Sequence, residues 1–320
     1  MALSKTTGLK SQDPFSLPNI GKMPHPPHRD FNLTQCNPAT LKHTRTTCLP
    51  DQMLETLRAE WNRRHPQDAI PTAVKRKESL WAALRDRMRR EFKCESEYCA
   101  VKELGGAAEQ AAAASFFRPE KPDAWEKNPR DWHDTLTIAA VMEQYEKAFP
   151  QFEFIGPVPM DFDAQLGMGR CVVGELCKLD LAAIRAAGDT HIGIVFNLDP
   201  HTKPGSHWVC AFIDLLRGAA YYYDSYGYPP PPEVRRLLRR CRDQGCRHIY
   251  WNDIRHQRKQ SECGTYCMYV LLSLLSGRSF NDICKKPVPD DTMNALRDIL
   301  YATERPRDLA MHAAMKLLRL

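Results

Sequence analysis

"IRHQRKQSECGTYCMYVLLSLLSG" spans Ile254 to Gly277. A polar, basic run meets the pair Cys263-Gly264, and beyond Thr265 the sequence is apolar nearly all round. A helix that is hydrophobic on every side belongs inside a domain. The stretch therefore predicts a solvated loop that ends at the first turn of a central helix. A thiol at that junction sees the positive end of the helix dipole, which favours the nucleophilic thiolate. Gly264 next to it would let a substrate backbone come close. Many cysteines at such junctions are merely buried, so the chemistry has to be sought in partners elsewhere in the chain.

A nucleophilic cysteine needs a base, and the base needs a group that orients it. "PGSHWVCAFIDLLRGAAYYYDSYG" (204–227) offers both. Trp208–Asp214 and Ala219–Asp224 read as strands joined by a hairpin, with His207 opening the first and Asp224 closing the second. A turn centred near Leu216 sets position 207 opposite 224 or 225, where cross-strand neighbours lie about 5 Å apart. The attacked carbonyl also needs donors for its developing negative charge. The backbone N–H of Cys263 is one. A side-chain amide is the other, from Gln257 six residues upstream or from its competitor Gln260.

The order His…Asp…Gln…Cys, carried by "HW", "YDS", "Q" and "ECGTYC", resembles the SUMO-protease and adenovirus-endopeptidase superfamily of cysteine proteases. The stretch "IGIVFNLDPHTKPGSHWVCAFID" (192–214) resembles more narrowly the polyprotein-processing core proteases of large DNA viruses, the asfarvirus and poxvirus types. The resemblance covers about residues 130–300. It implies His207 as base, Asp224 as its orienting carboxylate, Gln257 in the oxyanion hole and Cys263 as nucleophile. Trp208 is similar to the tryptophan that roofs the family's narrow substrate channel, and Gly264 takes part in substrate binding. Cys267, one turn beyond Cys263, reads as helix packing.

Strand signals at Ile192–Leu198, Trp208–Asp214 and Ala219–Asp224 precede the apolar helix and a further helix at 290–304, and Ile138, Val141, Met142, Tyr145 and Phe149 mark an amphipathic one. This is the pattern of an α+β domain. With the resemblance, the expected fold is a cysteine-protease core with a central mixed sheet and a buried helix carrying the nucleophile, preceded by a small helical domain. In that preceding domain Met53, Leu54, Leu57 and Trp61 share one helix face, and Leu80, Trp81, Leu84 and Met88 another. Expected boundaries are a disordered tail at 1–30, a helical domain at 31–104, an Ala-rich, Pro-broken linker at 105–130 and the catalytic domain at 131–320. Gly105-Gly106-Ala107 in the linker has the form of a self-cleavage site.

The 320 residues include twelve cysteines at irregular spacing. A chain this long does not need disulfide staples, so free thiols in a reducing compartment are expected. Cys36, Cys48, Cys94 and Cys99 lack the tight hook of a structural zinc site, although the four leave that question open. No run suits a membrane span and the N-terminus lacks a signal peptide's apolar centre. These point to a soluble protein of the host cytoplasm or the virion, with no cofactor. The net charge is +6, and +7 of charge falls within Arg235–Lys259, either a solvated face or a dock for acidic protein or nucleic acid.

The expected function is that of a cysteine endopeptidase that cleaves after small residues such as Gly-Gly and matures viral structural or core polyproteins. The alternatives are an isopeptidase acting on ubiquitin-like modifiers, of deSUMOylating or deubiquitinating type, and a non-catalytic basic binding module.

Overall fold

The structure, a computed structural model, describes residues 9–10, 35–41 and 46–304. The chain divides into two compact units, one built on Asn128–Asn294 and the other running to Lys127 and resuming at Ala295.

The second unit is helical. Its helices are α1 (Pro38–Leu41), α2 (Asp51–Arg64), α3 (Lys77–Phe92), α4 (Glu97–Leu104), α5 (Ala107–Phe116) and α6 (Ala124–Lys127). The apolar faces of α2 and α3 bury Leu54, Leu57 and Trp61 against Leu80, Trp81, Leu84 and Met88. The stretch expected to be a linker is instead part of this unit. Alanine is the strongest helix former, and the Ala-rich run makes α5 with Gly106 at its N-cap. Ala113 and Phe117 enter the same core. Gly105 is packed so closely that a Cβ there would sit 2.5 Å from the Val101 carbonyl. The candidate cleavage site between Gly106 and Ala107 is thus the first turn of a helix. The tail expected at 1–30 lies outside the described residues except for Leu9–Lys10, and the C-terminal boundary differs too, because residues from Ala295 group with the helical unit.

Free thiols were expected at all twelve cysteines. Six are instead paired, as Cys36–Cys48, Cys94–Cys99 and Cys171–Cys177. The other six are free and buried.

The first unit is the α+β one. After α7 (Thr135–Ala148), held at its start by an Asp134–Thr137 capping box, come β2 (Phe152–Pro159) and a hairpin of β3 (Gln165–Gly167) and β4 (Arg170–Cys171). Two short helices, α8 (Gly174–Cys177) and α9 (Leu181–Ala187), lead to β5 (His191–Asn197), β6 (Trp208–Asp214) and β7 (Ala219–Tyr223). Then follow α10 (Pro232–Asp243), β8 (His248–Trp251), α11 (Cys263–Leu275), α12 (Phe280–Lys285) and α13 (Asp290–Leu300), in which the division between units falls. Leu9–Lys10 form β1, and the mixed sheet has the order β1-β8-β7-β6-β5-β2. β5 to β7 are antiparallel neighbours, and β2 and β8 pair in parallel with β5 and β7.

β6 and β7 are buried along their whole length, because the sheet is covered on both faces and a strand so covered reads as a continuous apolar run. On one face Ile192, Ile194, Val209, Ala211 and Tyr222 pack with Val234, Leu237, Leu238 and Cys241 of α10. On the other lie α7 and α11. There Gly193 gives way to the Phe152 ring, 2.7 Å from where a Cβ would be. All thirteen residues of α11 are buried, as its all-round apolar sequence predicts. The register sets Asn197 beside Trp208, so β5 ends and β6 begins at one edge of the sheet, where β7 and β8 also end. The site is built on that edge.

Candidate active site

Cys263 is the first residue of α11 and is 2% exposed. His207 stands immediately before β6. The loop that delivers it is closed by Asn197, whose Oδ1 accepts from the backbone N–H of Asp199 at 3.0 Å and of Ser206 at 3.2 Å. Gly205 passes over this amide at φ 103°, and a Cβ there would be 2.4 Å from Nδ2, so only glycine closes the loop.

His207 Nε2 is 2.8 Å from Asp224 Oδ1, which leaves Nδ1 as the ring nitrogen open to Cys263, the thiol that also acts on this imidazole. Burial pushes the imidazole pKa down. The hydrogen bonds to Asp224 and Cys263, and the charges of both, outweigh burial and carry it up to about 9. Acid, imidazole and thiol are therefore joined in one chain at the positive end of a buried helix.

The hairpin register differs from the expected one. Asp214 faces Ala219 and Cys210 faces Tyr223, so extending the ladder places Tyr226, not Asp224 or Ser225, opposite His207. Four residues, Leu215–Gly218, separate the last pair, and this moves the turn centre toward the C-terminus. Tyr226 stacks on the imidazole at 4.6 Å. Asp224 reaches His207 along the diagonal because it lies just past the end of β7, and its Oδ1 also accepts the Tyr226 N–H at 2.8 Å.

Asn252, fully buried, grips Asp224 by its main chain. Its Oδ1 accepts the Asp224 N–H at 2.9 Å and its Nδ2 donates to the Asp224 carbonyl at 2.7 Å. The Ser225 carbonyl accepts from both His256 and Gln257 N–H groups at 2.9 Å. This zips the turn after β7 to the loop that leads to Cys263. Gln257 is fully buried, and its Oε1 accepts from Ser225 Oγ at 2.6 Å. Gln260 is exposed. Of the two competing amides, only Gln257 is tied to the Asp224 turn.

Trp208 is 5% exposed, and its indole N–H donates to the His133 carbonyl at 2.9 Å. The space over Gly264, expected to admit a substrate backbone, is filled by His133: a Cβ on Gly264 would be 2.9 Å from His133 Cβ. Gly264 is small so that His133 can pack there, with its Nε2 2.8 Å from Thr265 Oγ1. Next to His133, Trp132 is 46% exposed. Trp132 and Trp208 border a cavity of ≈ 490 Å³ that extends over Pro157–Pro159 to His201 and Lys203. Trp132, His133, Tyr226 and Asn252 were not singled out from sequence. The exposed tryptophan before the Asp-x-x-Thr capping box was the one visible signal.

Part of the basic stretch is engaged within the protein. Arg240 donates to the carbonyls of Leu176 and Cys177 at 2.9 and 2.8 Å, Arg255 to that of Gln257 at 2.8 Å, and Arg236 to Asp163 at 3.3 Å. Arg235, Arg239 and Arg242 are exposed at i, i+4 and i+7 on α10. Cys267 is buried, its carbonyl accepting from Cys210 Sγ at 3.8 Å. Among the described residues no helix is long and apolar enough to cross a membrane.

Residues 190–306 match the Ulp1 protease family, C-terminal catalytic domain. A protein of Acanthamoeba polyphaga mimivirus, named as a thiol protease, is 29% identical over 217 residues, 66% of this chain and 68% of its own. A cysteine protease of African swine fever virus is 31% identical over 158 residues, 44% of this chain. That alignment spans 57% of the relative's length. The crystal structure of an African swine fever virus protease superposes with a TM-score of 0.58 at 18% identity, covering 85% of this chain and 96% of that one, which shows a common fold.

Proposed function

We propose that the chain, whose residues 190–306 match the Ulp1 protease family, C-terminal catalytic domain, and which is similar to viral thiol and cysteine proteases, is a cysteine endopeptidase cutting protein substrates after Gly-Gly-like sites in viral structural or core polyproteins. The observation that carries the reading is the chain Asp224–His207–Cys263 at the start of α11. In the proposed reaction the Cys263 sulfur attacks the scissile carbonyl carbon. The Cys263 N–H and the Gln257 amide hold the resulting oxyanion. The C–N bond then breaks as the His207 imidazolium gives its proton to the leaving amine. Water, deprotonated by His207, next attacks the thioester and releases the carboxylate and the thiol. Asp224 keeps the imidazole oriented throughout.

Small residues are favoured by the approach. Trp208 is held by its bond to His133, and a substrate chain drawn past it toward the thiol would fit best with residues that lack a Cβ. Trp132 at the other wall of the cavity would stack along the substrate chain. The exposed arginines of α10 would meet acidic parts of the substrate protein. The place of action, in the host cytoplasm or the particle, is part of the same proposal. Three disulfides suit the particle better.

The family match also favours a second reading, an isopeptidase for ubiquitin-like modifiers, whose tails would use the same passage. The deciding experiment incubates the enzyme and its Cys263→Ser variant with structural proteins of the same genome, and separately with a modifier vinyl-sulfone probe. N-terminal sequencing that finds fragments starting after Gly-Gly, with wild type only, supports polyprotein cleavage. Rapid labelling of Cys263 by the probe with no such fragments supports the isopeptidase. Activity retained by Cys263→Ser refutes both.

A further inference from the structure

The loop from Gln257 to Cys263 is anchored at its far end by the buried Glu262, whose Oε1 accepts from Ser261 Oγ at 2.9 Å and from Asn294 Nδ2 at 3.0 Å. Arg258, Lys259 and Gln260 are exposed, so no apolar side chain packs this part of it. At Arg258 and Lys259 a carboxylate grips its main chain. Asp290, the first residue of α13 and 5% exposed, accepts the backbone N–H of Arg258 and of Lys259 on a single oxygen, Oδ2, both at 2.9 Å. Its other oxygen lies 3.1 Å from the hydroxyl of Tyr266, on the first turn of α11, a hydroxyl that is also 2.6 Å from the Val288 carbonyl. Hydrogen bonds to a carboxylate are stronger than neutral ones. Asp290 therefore ties the loop to the helix that carries the nucleophile.

The same Lys259 whose N–H is held by Asp290 offers its carbonyl to Gln257, which donates one Nε2–H to it at 2.7 Å. With Oε1 held by Ser225, the rotation of the Gln257 amide is set from both ends, and the second Nε2–H is the one left to meet an oxyanion. We infer that Asp290 is a positioning residue for oxyanion stabilisation. By fixing the Arg258–Lys259 backbone it fixes the carbonyl that orients the Gln257 amide. The inference rests on the oxyanion role given to Gln257 above. Neighbouring Asp291 contributes less, since its ion pair with Lys259 Nζ joins two half-exposed side chains.

The test is a double-mutant cycle of Asp290→Asn and Gln257→Ala, read as kcat and KM on an internally quenched peptide with a Gly-Gly centre. The rate of Cys263 alkylation by iodoacetamide is measured in parallel. Gln257→Ala is expected to lower kcat by about 10²–10³, the usual loss of an oxyanion donor. Asp290→Asn is expected to lower kcat by up to roughly 100-fold through misplacement, with KM and the alkylation rate unchanged. In the Gln257→Ala background the same change is expected to cost less than about 2-fold, because coupled residues are non-additive. An equal loss in both backgrounds, a loss confined to KM, or wild-type kcat in Asp290→Asn overturns the inference. Full activity in Gln257→Ala instead overturns the underlying role of Gln257. If Asp290→Asn does not melt cooperatively, Asp290→Glu keeps the charge and displaces the oxygens. It is expected to show the same kcat-selective, Gln257-dependent loss, and a wild-type kcat there overturns the inference equally.

Discussion

The ring of Tyr226 stacks on the imidazole of His207, with centroids 4.6 Å apart and planes 18° from parallel, and the Arg255 guanidinium lies 5.1 Å from the centre of the same tyrosine ring. The imidazole is therefore held edge-on by Asp224 and face-on by an aromatic ring. An aromatic contact of this kind is worth about 0.5–1.5 kcal/mol, so Tyr226→Ala should lower kcat by roughly 2- to 10-fold. Tyr226→Phe, which keeps the ring, should stay near wild type. Steady-state kinetics of the two variants decide this, and equal losses in both would assign the effect to the hydroxyl instead.

The raised pKa of His207 gives a signed prediction. The folded protein holds this proton more tightly than the unfolded chain, because its pKa is about 9 against an ordinary 6.5. The stabilisation is complete below about pH 6.5 and is lost as the pH rises through 9. His191 and His256, pushed down by burial, titrate below that window. Urea unfolding at pH 6 and pH 9.5 should show wild type losing on the order of a few kcal/mol. His207→Gln should show a visibly smaller loss, and an identical loss in both proteins would contradict the pairing.

Close packing at Gly264 predicts that Gly264→Ala is destabilised although it adds one methyl group. Overpacking of this kind costs about 1–3 kcal/mol. Thermal melting should show the deficit, and Gly264→Ala combined with His133→Ala should recover part of it. A single variant that melts like wild type would mean that His133 can step aside at no cost.

For the basic helix, reversal of Arg235, Arg239 and Arg242 to glutamate should slow cleavage of an acidic protein substrate several-fold at low salt and leave a short neutral peptide unaffected. The difference should vanish near 1 M salt, where the Debye length is about 3 Å. Arg240→Glu should act differently, lowering stability, because Arg240 binds the carbonyls of Leu176 and Cys177. Identical behaviour of the triple variant and wild type on both substrates would leave α10 as a solvated face.

Much of the α+β core was legible because burial on both sides imposes continuous apolar strands, and Trp208–Asp214 was read to the residue. Asp224 does meet His207, but not by the register expected of the hairpin. The reading assumed a ladder that ran on to residue 224, whereas the strand stops at Tyr223 and the carboxylate reaches across from the turn. The Ala-rich segment was mistaken for a linker because low complexity masked high helix propensity. Asn252 and His133 were invisible because their work is done on main-chain atoms: Asn252 binds the peptide of Asp224, and His133 lends a carbonyl to an indole. Neither act leaves a spacing rule in the sequence. The disulfides could not be read for a related reason, since pairing depends on which loops meet in space.

His133 sits well upstream of residue 190, where the family match begins, yet it fills the space above Gly264 and accepts the Trp208 indole proton. A fragment trimmed to 190–306 would carry His207, Asp224, Gln257 and Cys263 and still open a hole beside Cys263, with an orphaned indole N–H at the rim. Excision for expression must begin no later than Asn128. Positions 133 and 264 are also coupled by this packing, so a substitution tolerated at either depends on what stands at its mate.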